Sequence, residues 1–111
     1  MASLKAELSA KALIRRAQAG GAMAMVARKG DPDAGLVYVK VSLLDGRARL
    51  FAPTRGADGE RAYREASKGT AEPDHEIEAK LAREAEFDPD IWVIEVEDRQ
   101  GRAFIVDPLV D

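Results

Sequence analysis

The stretch from Leu36 to Pro53, LVYVKVSLLDGRARLFAP, decides the fold. Two apolar, β-branched runs flank Asp45-Gly46, a pair suited to the type I′ reversal that needs φ > 0 at both central positions. The spacing predicts a hairpin. A two-residue reversal sets Leu44 against Arg47, so Leu43 pairs with Ala48, Val41 with Leu50 and Val39 with Ala52, and one face becomes wholly apolar. The other face then gathers Tyr38, Lys40 and Ser42 beside Arg49 and Phe51, with Arg47 at the turn. Cations beside two aromatic rings make the type of surface that stacks bases and tracks phosphates, and Arg28 and Lys29 extend it.

Upstream of the hairpin, Leu4, Ala6 and Leu8 alternate with Lys5 and Glu7 as in a half-buried strand. Ala10, Leu13, Ile14 and Ala17 then follow helical spacing, with Ser9 as N-cap and Gly20-Gly21 as the stop. The run AMAMVARK, residues 22–29, reads as a strand with Met23 and Met25 in the core. Downstream, PTRGADGE is a turn-rich loop, and RAYREAS adds a weak edge strand. Ile77, Leu81 and Ala85 draw a narrow apolar stripe along a charged helix that begins near Pro73-Asp74 and ends before Asp88-Pro89. IWVIEVED and RAFIV, separated by a turn ending at Gly101, form a second hairpin in which Trp92, Ile94 and Val96 face Phe104 and Val106 as core. The expected fold is therefore α+β. It is an antiparallel sheet of five or six strands with two helices packed on one face, in the order β-α-β-β-β-α-β-β, forming a single domain over residues 1–111.

Composition narrows the classes of function. At 111 residues with 46% hydrophobic and 33% charged residues, the chain has the balance of one globular domain and is too apolar for a disordered one. It has no cysteine, which excludes disulfides, thiolate metal sites and a cysteine nucleophile, and is consistent with a cytoplasmic location. Charges interrupt the N-terminal apolar residues, so neither a signal peptide nor a membrane span is expected. The net charge of −3 conceals a division: residues 1–55 carry ten basic against four acidic side chains, +6, and residues 56–111 carry seven against sixteen, −9. Such an asymmetry marks an anion-binding face or two halves that neutralise each other.

The chemistry-bearing motifs are weak. GDPDAG, residues 30–35, has the glycine spacing of a phosphate loop, yet Leu36-Val37 stands where Lys-Ser/Thr is required. As a calcium loop it lacks the fifth-position ligand and the twelfth-position glutamate. A turn explains it, with proline presetting φ and aspartate bonding back to the chain, and FDPDIW repeats that chemistry at residues 87–92. Were the two triplets to meet, Asp31, Asp33, Asp88 and Asp90 would offer oxygen ligands to a divalent cation. His75 is the sole histidine, and Ala79 stands one turn on, where a zinc-protease helix needs its second ligand.

The stretches RKGDPDAGLVYVKV, LDGRARLFAP and FDPDIWVIEVEDRQGRAFI resemble a family of short, mainly alphaproteobacterial proteins catalogued as a domain of unknown function. The resemblance covers nearly the whole chain and implies a bacterial protein of one domain. It implies no activity, cofactor or catalytic residue.

The expected function is accordingly non-catalytic, a protein-interaction or self-associating domain with no cofactor and no metal. The candidate surface is Tyr38, Lys40, Arg47, Arg49 and Phe51 with Arg28 and Lys29, facing an acidic protein partner or a second copy. Glu76, Glu78, Glu84 and Glu86, or Glu95 and Glu97, are the acids placed to neutralise it, within the chain or across a dimer. Anion or nucleic-acid binding by the same face is an alternative, although a pI near 5.2 and the lack of an RNA-recognition signature argue against nucleic acid. A small enzyme or metal site built on the Asp-rich turns is the remaining alternative.

Overall fold

The computed structural model describes residues 5–111. It is an α+β fold, with two helices on a mixed sheet of seven strands among the described residues. In chain order the elements are α1 (Ala6–Ala19), β1 (Met23–Arg28), β2 (Val37–Ser42), β3 (Arg47–Arg55), β4 (Arg61–Glu65), β5 (Glu72–Pro73), α2 (Asp74–Phe87), β6 (Trp92–Glu97) and β7 (Leu109–Val110). The strands lie in the order β1-β6-β2-β3-β4-β7, and β5 pairs with β3. β6 runs parallel to β2, and β7 parallel to β4, so the sheet is not purely antiparallel.

The insertion of β6 between β1 and β2 explains much of the rest. A parallel pair needs a crossover connection, and α2 supplies it, packing Ile77 and Leu81 on one face against Tyr38, Leu50, Ala52 and Val93. α1 covers the opposite face, where Ala10, Leu13 and Ala17 meet Val39, Val41, Phe51, Trp92 and Ile94. The helices thus lie on opposite faces, not on one as expected, and both faces of β2 are buried.

The central hairpin differs from expectation by one residue. Val41 pairs with Arg49, Lys40 with Leu50 and Val39 with Phe51. The loop holds three residues, Leu44 to Gly46, with Leu43 N–H donating to Arg47 O at 3.0 Å. Leu44 and Gly46 adopt left-handed φ of 62° and 88°, and the Asp45 carboxylate accepts the Arg47 N–H at 3.0 Å. A slip of one residue turns every side chain of β3 to the other face.

The start of α1 also departs from expectation. Leu4 of the proposed first strand lies outside the described residues, but Ala6 and Leu8 are helical and Ser9 lies inside the helix. No side chain caps it. Its first amides are satisfied at long range instead, with Ala6 N–H donating to Asp33 O at 3.1 Å and Glu7 N–H to Pro32 O at 2.9 Å.

The second hairpin is replaced by a crossing segment. Both edges of β6 are taken, by β1 and β2, so RAFIV cannot pair with β6. It crosses the α1 side of the sheet instead, packing Ala103, Phe104 and Ile105 on that core while Val106 is exposed. Trp92, Ile94 and Val96 are buried as expected, whereas Met23 and Met25 are exposed and Ala24 faces α1. α2 starts and stops where its sequence predicts, and Arg61–Glu65 of RAYREAS form β4, which lies between β3 and β7 and not at the edge as expected.

Candidate functional site

The one-residue slip divides the basic-aromatic face. Tyr38 and Lys40 lie under α2, while Arg49 and Phe51 lie on the α1 side. Lys40 is only 3% exposed. Its ammonium stands 2.7 Å from Asp74, hydrogen-bonds Glu78, and is 3.6 Å from Glu95 of β6, its neighbour in register. Burial disfavours that charge, but the bonds to Asp74 and Glu78 and the field of Glu95 outweigh it and hold the pKa above the usual lysine value. Tyr38 donates its hydroxyl to Glu84 at 3.2 Å, and burial, then Glu84, raises its pKa.

On the opposite face Arg49 makes a forked pair with Glu65, Nε and Nη2 each donating at 2.8 Å, and Nη1 donates to Gly101 O at 2.7 Å. Its guanidinium lies 4.9 Å from the centre of the Phe51 ring. Hydrogen bonding from Arg49 holds the Glu65 carboxyl below the usual range. Arg47 is exposed and pairs with Asp45 at 2.8 Å. Arg28 reaches Pro89 O at 3.0 Å from the end of β1, and Lys29 beside it is exposed. The cations on this hairpin are therefore neutralised within the chain. Glu78 and Glu95 neutralise Lys40 as expected, Glu84 bonds the Tyr38 hydroxyl instead of a cation, and Asp74 and Glu65 join them once the register is known.

The two Asp-Pro-Asp turns do meet. The loop from β1 to β2 must pass over the end of β6, so Asp31 N–H donates to Asp90 O at 3.0 Å and the Trp92 indole donates to Asp31 O at 2.7 Å. A Cβ on Gly30 or Gly35 would collide with the Asp90 carbonyl, which is why both are glycine. Their carboxylates do not converge. Asp31 accepts the amides of Asp33 and Ala34 at 3.1 and 2.7 Å, Asp88 accepts that of Asp90 at 3.0 Å, and Asp33 pairs with Lys5 at 3.4 Å. Among the described residues no group of three or more His, Cys, Asp or Glu side chains is arranged to hold a metal ion. His75 is exposed at the start of α2.

Two features escape the sequence reading. One is the outer edge of β1, which pairs with no strand among the described residues and exposes Met23 by 64%, Met25 by 43% and Val26 by 45%. The other is a groove of about 360 Å³ between the start of α1, the GDPDAG loop and the far ends of β3 and β4. Arg55 and Arg61 face each other across those strands at its wall. Tyr63 forms part of its wall, donating its hydroxyl to Val37 O at 2.6 Å, and burial pushes its pKa up to about 12. Alternation along β4 was the available signal, but only its register with β3 brings the arginines together.

A family model described as a protein of unknown function (DUF1491) matches residues 4–106. The chain belongs to the DUF1491 family. Its fold is similar to the crystal structure of a DUF1491 protein from Caulobacter crescentus CB15, with a TM-score of 0.88 and 46% identity over 97% of this chain and 100% of that one. An NMR structure of a DUF1491 protein from the same organism gives 0.85 and 44%, covering 100% of both chains. A solution structure from A. tumefaciens gives 0.77 and 37%, over 96% of this chain and 98% of that one. No curated protein is similar in sequence. DUF1491 membership matches the alphaproteobacterial resemblance read from the turns and strands, and it assigns no reaction. Among the described residues, no helix is long and apolar enough to cross a membrane.

Proposed function

We propose that this DUF1491 protein is a non-catalytic domain that associates with a second copy of itself through the free edge of β1. The supporting observation is that edge: among the described residues it pairs with no strand, and Met23, Met25 and Val26 are all more than 40% exposed. Such an edge presents unpaired amides and carbonyls beside apolar side chains, and natural sheets normally blunt it with charge, a bulge or proline. Here the defence covers one end only. The register shifts between Val26 and Arg28, where Arg28 and Lys29 stand, and Met23 to Val26 are left plain.

Charge favours a second copy as the occupant. In an antiparallel pairing centred on Ala24, Met23 faces Met25 of the second copy on one side of the joined sheet. The cationic end of each β1 then falls past the Met23 end of the other, opposite position 20, so the two cationic ends lie apart. A pairing this short buries little surface, so the affinity is expected in the micromolar range. The basic-aromatic surface lends no support to an acidic partner, because Lys40 and Arg49 are already neutralised.

Light scattering across a concentration series tests the reading. The mass is expected to rise toward twice 12.0 kDa, and Val26→Lys to hold it at the monomer value. A wild-type protein that stays monomeric throughout, or a Val26→Lys dimer of unchanged strength, refutes it.

A further inference from the structure

The Arg55–Arg61 groove lies on the α1 side, beyond β3 and β4, far along the sheet from β1. We propose that it is a binding site for a small molecule bearing an oxyanion, a carboxylate or a phosphate, gripped between Arg55 and Arg61. Arg55 is directly opposite Arg61 in the β3–β4 register, and like charges so placed destabilise a sheet. Neither charge is fully compensated. Arg55 donates only to Gly59 O, at 3.2 Å, and has no carboxylate partner among the described residues. Arg61 stands 4.0 Å from Asp107, the outer limit of an ion pair.

The two other arginines of β3, Arg47 and Arg49, each have an acid at 2.8 Å, whereas Arg55 has none among the described residues. An oxyanion between two guanidinium forks would turn the repulsion into charge-assisted hydrogen bonds. The surroundings suit a small ligand. Leu36, Val37, Pro53 and the Tyr63 ring supply an apolar wall. An adjoining hollow of about 80 Å³ shares Val37, Arg61 and Tyr63 and adds Arg16. Asp33 also lines the groove, with its charge engaged by Lys5. Apolar walls with a few converging polar groups are the usual form of a ligand site.

The test is an NMR titration of the full chain with sodium phosphate and, separately, sodium acetate, each balanced with sodium chloride at fixed ionic strength. Saturable shifts at the Thr54, Ala62 and Tyr63 amides are expected for at least one anion. Arg55→Gln and Arg61→Gln should each weaken it roughly tenfold or more, as loss of a charged hydrogen bond does. Response to phosphate alone assigns a phosphorylated ligand, and response to acetate alone a carboxylate. Failure of both anions, or binding that survives both substitutions, overturns the proposal. A second variant reads the repulsion itself: Arg55→Glu should raise Tm and abolish the response. An unchanged or lowered Tm in that variant removes the like-charge argument and overturns the proposal as well. Because none of these residues lies on β1, dimer formation is expected to be unaffected, which separates failure here from failure of the β1 interface.

Discussion

β1 and β2 are both six-residue strands, MAMVAR and VYVKVS, each mostly apolar and each carrying one cation. β2 is buried along nearly its whole length, lysine included, whereas β1 exposes most of its side chains, methionines included. Their place in the sheet makes the difference. β2 has a strand on either side and a helix over each face, while β1 has β6 on one side and α1 over part of one face. A buried cation must be paired, and Lys40 has three carboxylates; an exposed apolar edge must be defended or covered, and β1 is defended at one end only. The centre of the molecule is thus structural in its charges. Its margins are where unsatisfied groups remain.

The largest expected effect is at the centre. Lys40→Ala leaves three carboxylates facing one another and should cost about 2–4 kcal/mol in urea unfolding, toward the lower end because Asp74 and Glu78 are about half exposed. If the cost is below that of a surface change, Lys40 is not the clamp of α2. Its contribution is fully present below the ordinary lysine pKa of about 10.4, and is lost as pH rises through the higher folded value.

Arg49→Gln should cost less, about 1–2 kcal/mol, since its pair with Glu65 is partly solvated. The acid limb makes this sharper. Glu65 has a lowered pKa when folded, so its contribution is present above about pH 4.3 and is lost as pH falls below that. Arg49→Gln should therefore flatten the fall in stability under acid, as followed by thermal unfolding between neutral and acidic pH. At the margin, Val26→Lys should change unfolding free energy by no more than about 0.5 kcal/mol, measured on the monomer at high dilution. A larger loss would place Val26 in the core and erase the contrast between the two strands.

The sequence makes some of this legible and hides the rest for identifiable reasons. α2 is legible because Ile77, Leu81 and Ala85 repeat at one turn and Pro73 and Asp88-Pro89 punctuate its ends. β6 is legible because Trp92, Ile94 and Val96 alternate between turn residues. The register of the hairpin is hidden in Leu44, which takes a left-handed φ that leucine rarely adopts and that nothing in its neighbourhood announces. The start of α1 is hidden because its cap comes from Pro32 and Asp33, a loop away, so Ser9 looks like a boundary. RAFIV has the composition of a strand because it covers a core, not because it pairs. As for candidate sites, Tyr38, Lys40, Arg49 and Phe51 depend on that one-residue register, and the β1 edge depends on where β6 inserts. Neither is a local property of the chain.

Cross-linking tests the β1 interface most directly, since the protein has no cysteine of its own. In the pairing centred on Ala24, Ala24→Cys places two thiols across a strand pair at the separation a disulfide needs. Under mild oxidation at micromolar concentration, Ala24→Cys should become a covalent dimer rapidly, and Ala79→Cys, exposed on α2, should remain a monomer. Equal cross-linking of the two variants, or none at Ala24→Cys in a sample that scatters as a dimer, would contradict the interface.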